Sequence, residues 1–125
     1  MIIEPHTRHS TKGKMMLTVS IKNEHAEMLA AFGSPQKSID LALQRYLIEQ
    51  ITAKVAELRQ KEANYQTKYG MDYPTFTQRI SEDEHFITEV ESNVNKMWEI
   101  DLADWEFCYK GIDDWTHKLQ TILLT

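Results

Sequence analysis

Residues Met16 to Ile21 carry the only clear strand signal in a chain that otherwise reads as helix. Leu17, Val19 and Ile21 alternate with Met16, Thr18 and Ser20, the period-two pattern of a ribbon with one apolar face. A lone strand leaves its backbone N–H and C=O groups unpaired, and no second strand is legible elsewhere in the sequence. The pattern therefore predicts that the same strand of a second copy supplies the mate. Helical patterns follow at about 23–32 and from 35 onward, so the first 50 residues read as strand, short helix, helix.

Residues 1–13 are polar, with Pro5 and Gly13 among them, and read as a flexible arm. Asn23 is the expected N-cap of the first helix, with Glu24 and Glu27 near its positive end. His25, Met28, Leu29 and Phe32 form its apolar stripe, and Gly33 is placed to end it. Ser34-Pro35 then restarts the chain: a capping hydroxyl followed by proline at the first helical position. The second helix shows two apolar stripes, Ile39, Leu43, Tyr46 and Leu47 on one side and Leu41, Ile48 and Val55 on another. A helix apolar on two sides is normally buried on two sides, as in an intertwined dimer. Its pattern runs unbroken through Ile51, Leu58 and Tyr65 to Tyr69, where Gly70 stops it.

Beyond it, Met71 to Ile80 reads as a connector in which Asp72 and Pro74 can open a short helix. Ser81 and Glu84 match a capping box ahead of Phe86, Ile87, Val90, Val94 and Met97. An apolar seam continues through Leu102, Trp105, Tyr109, Ile112, Trp115, Leu119 and Ile122. A break near Asp101 or Gly111 is as compatible with this pattern as one continuous helix. Two long amphipathic segments joined by a linker predict a helical hairpin over 51–125.

Composition narrows the class. An apolar share of 42% with three Trp, five Tyr and four Phe supports packed cores. No apolar run approaches the roughly 20 residues of a membrane span, and Met1 to Lys14 lacks the apolar core of a secretory signal. The single cysteine, Cys108, excludes an intrachain disulfide and a zinc site built from cysteines. A reducing cytoplasm is the expected compartment. The net charge of −5 is unevenly spread. Residues 1–50 carry six Lys/Arg against five acids, and residues 51–125 carry eight against fourteen. A near-neutral head can face DNA phosphate, while the acidic remainder suits a basic protein partner.

The order Leu17-Thr-Val-Ser-Ile21, then Gly33, Ser34, Ile39, Ala42, Leu43 and Tyr46, resembles the ribbon-helix-helix DNA-binding family over about residues 14–50. The resemblance implies a mostly α protein whose head is a homodimer with one intersubunit strand and two helices per copy. A two-stranded ribbon fits the major groove, where each base pair shows a distinct donor–acceptor pattern. Under this reading Met16, Thr18 and Ser20 face outward to read bases. Leu17, Val19, Ile21, Ile39, Ala42, Leu43 and Tyr46 form the dimer core. Lys14, Lys22, Ser34, Gln36 and Lys37 are the candidate phosphate contacts, the last three at a helix N-terminus. Met16 departs from the family, which usually offers Arg, Lys, Gln or Asn on this face, and it cannot make a bidentate base contact.

Ribbon-helix-helix proteins with an added C-terminal segment are often antitoxins, and this chain looks like that arrangement. The implied roles are repression of its own operon through the head and neutralisation of a toxin protein through the tail. Trp98, Trp105, Phe107, Tyr109 and Trp115 give the tail aromatic character, and Trp and Tyr dominate interface hot spots. The plainer reading makes these aromatics the core of the hairpin. Trp98 and Phe107 fall off the seam and are the candidates for an exposed partner contact.

Other chemistries find less support. Arg79 and His85 have the spacing of small all-helical ribonucleases, in which such a pair handles proton transfer and phosphate charge. That spacing is short and degenerate, and the residues between them read as a helix start. His6 and His9 are three apart but lack a carboxylate cluster. Asp101, Asp104, Asp113 and Asp114 read as a solvated face, with Asp113–His117 and Asp114–Lys118 as surface pairs. No phosphate-binding glycine loop, nucleophile elbow or Cys–His couple occurs, so neither enzyme activity nor a cofactor or metal is expected. The competing class is a dimeric helical adaptor that binds protein and no DNA.

Overall fold

The computed structural model describes residues 15–124 and the backbone of Ile2–Ile3. It is mostly helical, and the chain divides into two compact units, Met1–Tyr46 and Leu47–Thr125.

In the first unit, strand β1 is Ile2–Ile3 and strand β2 is Val19–Ser20. They pair antiparallel, with Ile2 opposite Ser20 and Ile3 opposite Val19. Two expectations are corrected here. The segment 1–13 does not read wholly as an arm, since it supplies β1, and the strand near Val19 has a mate within its own chain. The pairing also explains the length of β2: a two-residue partner supports two residues of ladder, not the six of the sequence pattern. Helix α1 is Asn23–Ala30. Lys22, not Asn23, is its N-cap and makes no side-chain cap bond; its carbonyl accepts from the Ala26 N–H at 3.0 Å.

Gly33 has φ +119°, a backbone region closed to most side chains, and this lets the chain reverse before helix α2, Pro35–Tyr69. The Ser34 carbonyl accepts from the Ser38 N–H at 3.0 Å, and its hydroxyl is 3.5 Å from the Lys37 N–H. Gly70, at φ +74°, ends α2 where the sequence expects.

In the second unit, helix α3 spans Tyr73–Glu82 and opens on an Asp72 cap, whose carboxylate accepts from the Thr75 N–H at 2.9 Å. The Ser81–Glu84 capping box does not form. Ser81 lies inside α3, where its hydroxyl donates to the Gln78 carbonyl. Helix α4, Glu84–Asn93, is capped instead by Asp83, which accepts from the His85 and Phe86 N–H groups at 3.0 and 3.2 Å. A carboxylate two and three residues ahead of free N–H groups is a stronger acceptor than the Ser81 hydroxyl, already committed to α3. Helix α5 runs Trp98–Leu123, with both Asp101 and Gly111 in its interior. The break falls at 94–97, where the Asn95 side chain accepts from the Met97 N–H at 2.9 Å. The expected hairpin is thus two long helices, the C-terminal part of α2 and α5, bridged by two short ones.

The core of this unit is aromatic. Phe76 and Trp105 are fully buried, joined by Tyr69, Phe86, Val90 and Trp98. Phe76 sits among the rings of Tyr69, Trp105, Phe86 and Trp98, with centroids at 4.8, 5.3, 5.8 and 6.4 Å. Leu58 is also buried, and a Cβ on Gly111 would lie 3.0 Å from its Cδ1. Glycine is what allows the α5 backbone to approach the Leu58 side chain of α2 at that level.

Candidate functional site

Two surfaces follow from these units. The first belongs to the head. None of its described residues is buried, although its strand and helices are rich in large apolar side chains. Leu17 is 81% exposed and Phe32 84%, and Val19, Met28, Leu41, Leu43 and Tyr46 are exposed as well. Of the expected dimer-core set, Leu17, Val19, Ala42, Leu43 and Tyr46 are exposed in the single chain, while Ile21 and Ile39 are half-buried. Exposed apolar surface on this scale, with no buried residue among the described residues of the unit, is the kind of surface that interaction sites present.

The expected base-reading residues Met16, Thr18 and Ser20 are all exposed, in or beside β2. Lys22, Ser34 and Lys37 are exposed too, flanking the turns that enter α1 and α2. The Gln36 amide is occupied, donating to Asp40 at 3.0 Å. Lys14, like His6 and His9, lies outside the described residues.

The second surface lies on α5. Phe107 is 63% exposed, whereas Trp105 and Cys108 of the same helix are fully buried. With Ala103, Glu106, Lys110, Asp114 and Trp115 it lines a shallow depression of about 390 Å³. Lys110 pairs with Glu106, and Lys118 lies over the Trp115 ring, 4.2 Å from its centroid. Trp98, the other expected contact, is corrected: it is only 9% exposed and packs edge-on to Phe76. The break at 94–97 resets the helical phase, so α5 begins with Trp98 turned into the core.

A polar ladder between α2 and α5 escaped the sequence reading. Asp101 Oδ2 accepts from Lys68 Nζ and Tyr69 OH, both at 2.6 Å, and from Asn95 Nδ2 at 3.1 Å. Asp104 accepts from Tyr65 OH at 2.5 Å, and Glu62 from the Trp105 indole at 3.5 Å. Burial pushes the Asp101 carboxyl up, but the bonds from Lys68, Tyr69 and Asn95 outweigh it and hold its pKa below the ordinary aspartate value. Burial and the bond to Asp101 push the Tyr69 phenol up to about 12. Asp101 and Asp104 are therefore helix-joining residues, not a solvated face. Their spacing around Trp105 was the available signal, since positions 101, 104, 105 and 108 share one side of a helix. Cys108, between seam positions in the sequence pattern, is fully buried, and burial raises its thiol pKa.

The two residues of the ribonuclease spacing have separate neighbours. Arg79 lies over the Phe86 ring, 4.0 Å from its centroid, and the exposed His85 pairs with Glu89 at 3.2 Å. Asp113 and His117 are a surface pair at 3.6 Å. Among the described residues no cluster of His, Cys, Asp and Glu is arranged to hold a metal, and no helix is long and apolar enough to cross a membrane. Comparison with protein-family models, with curated proteins and with solved structures finds no match.

Proposed function

We propose that the chain is a homodimeric antitoxin and operon repressor of the cytoplasm, reading DNA through its head and holding a toxin protein through its second unit. The observation that carries this reading is a head with no buried residue among its described residues. A strand, a short helix and the start of a long helix leave Leu17, Val19, Leu43 and Tyr46 uncovered, and a second copy can cover them. In the dimer β2 pairs with its twin along the edge that β1 leaves open, since every strand has two hydrogen-bonding edges. Thr18 and Ser20 then read base edges, Lys22 and Lys37 hold phosphates, and Phe107 anchors the protein partner.

The test pairs light scattering with a gel shift on DNA from upstream of the coding sequence, at two salt concentrations. A mass of twice 14.7 kDa and a sequence-selective shift that weakens with salt are expected. A monomer, or a dimer that shifts no DNA at low salt, refutes the regulatory role. The second outcome is what the adaptor reading expects, in which the exposed apolar side chains of the head join two copies and no DNA is bound.

A further inference from the structure

We infer that strand β1 is a strap on the ribbon, which has to leave β2 before the dimer can grip DNA. The inference rests on the proposed DNA-reading dimer and concerns its regulation. In the single chain β1 covers one edge of β2, so a second copy can pair only along the other. The dimer is then a four-stranded antiparallel sheet with the two β2 strands inside and the two β1 strands outside. Neighbouring strands lie about 4.8 Å apart, so the outer two are about 14 Å apart before any side chain is added. The major groove is roughly 12 Å wide and admits a ribbon of two strands. A sheet with both straps in place is too wide to enter. Ile3 opposite Val19 and Ile2 opposite Ser20 also set β1 directly against the segment that carries Thr18 and Ser20.

The strap is built to be released. Its ladder is two residues long, and an isolated two-stranded pair is marginal in water. A short pairing of this kind sets a threshold: the affinity for DNA is reduced by the fraction of dimers whose straps are in place.

The test locks the strap in the full chain. Directly opposed residues of an antiparallel pair have Cα atoms about 4.5–5.5 Å apart, within the range a disulfide spans. Ile3→Cys/Val19→Cys therefore closes an intrachain disulfide on oxidation, and the buried Cys108 stays out of the exchange. Non-reducing electrophoresis identifies the cross-link, and a gel shift with upstream DNA compares the oxidised and reduced forms of the same variant. The expected result is an intrachain cross-link, DNA binding at least about tenfold weaker when oxidised, and recovery on reduction. A second variant, Ile2→Pro/Ile3→Pro, removes both N–H groups of β1, one of which must face β2, and should bind DNA more tightly than wild type. Equal binding by the oxidised and reduced forms, failure of the disulfide to form, a cross-link only between copies, or a proline variant no tighter than wild type each overturns the strap. Those results leave the DNA-reading dimer standing as long as wild type shifts DNA. Wild type that shifts no DNA removes both.

Discussion

Replacing Asp101 with alanine tests the polar ladder that joins α2 to α5. One oxygen of this carboxylate takes three hydrogen bonds, from Lys68, Tyr69 and Asn95. Tyr69 is largely buried, so in Asp101→Ala its hydroxyl loses its acceptor at a poorly solvated position. A hydrogen bond to a charged group contributes about 1.5–3 kcal/mol, and orphaning a buried donor costs its desolvation as well. The Asn95 bond adds about 1 kcal/mol, and the Lys68 pair, with its ammonium half in water, less than about 1. The expected loss is about 4 kcal/mol, measured by urea unfolding of the full chain followed by helical circular dichroism. Tyr69→Phe removes the hydroxyl that would be orphaned, so Tyr69→Phe/Asp101→Ala should cost less than the two single changes added together. A loss below about 1 kcal/mol, or strict additivity, would refute the assignment.

The same residue sets a pH dependence of known sign. A carboxyl whose pKa is lowered by folding contributes stability that is fully present above its unfolded value, about 3.9. That contribution is lost as the pH falls through the lowered folded value. Wild type should therefore lose more stability than Asp101→Asn between about pH 5 and pH 2. Parallel curves for the two proteins would show that Asp101 is not held by its neighbours.

Phe76→Ala empties the centre of the aromatic core and should cost about 3–5 kcal/mol in urea unfolding, since four rings surround a side chain with no exposure. Gly111→Ala gains about 1 kcal/mol of helix propensity but sets a methyl 3.0 Å from buried Leu58, and the expected net result is destabilisation. A stabilised variant would show that Leu58 yields freely. In an alkaline absorbance titration the Tyr69 phenol should ionise near about 12, and Asp101→Asn should bring it back toward 10. Phe107→Ala should leave thermal unfolding within about 0.5 kcal/mol of wild type, because the ring is mostly in water, while weakening capture of the proposed protein partner. Undiminished capture would move the partner contact elsewhere.

Signals that act within a few residues were legible in the sequence. Ser34-Pro35, Gly33, Gly70 and the Asp72 cap depend on backbone chemistry that a neighbour three or four positions away satisfies, and each stands where it was read. The errors fall where two local devices compete or where the partner is distant. Ser81 and Asp83 are both good caps, and only the extension of α3 through Glu82 decides between them. The break at 94–97 has no proline or glycine to announce it, so the apolar pattern alone gives α5 the wrong phase and sets Trp98 off the seam. Asp101 looks like any exposed acid until Tyr69, thirty-two positions earlier, is brought against it.

The strand near Val19 is the deeper case. Its need for a mate was read correctly, but the mate was sought in another molecule because Ile2–Ile3 is too short to register as a strand. Satisfying one edge leaves the other open and covers none of Leu17, Phe32, Leu43 or Tyr46. Pairing of β2 within its own chain makes a second copy unnecessary for its backbone, while the exposed apolar side chains stay uncovered. The two are separable, because a ladder is lost on proline substitution whereas an apolar interface is lost on truncation to alanine. Leu43→Ala/Tyr46→Ala should dissociate the proposed dimer with β1 and β2 still paired. If that variant stays dimeric, the exposed apolar side chains of the head are not what brings two copies together.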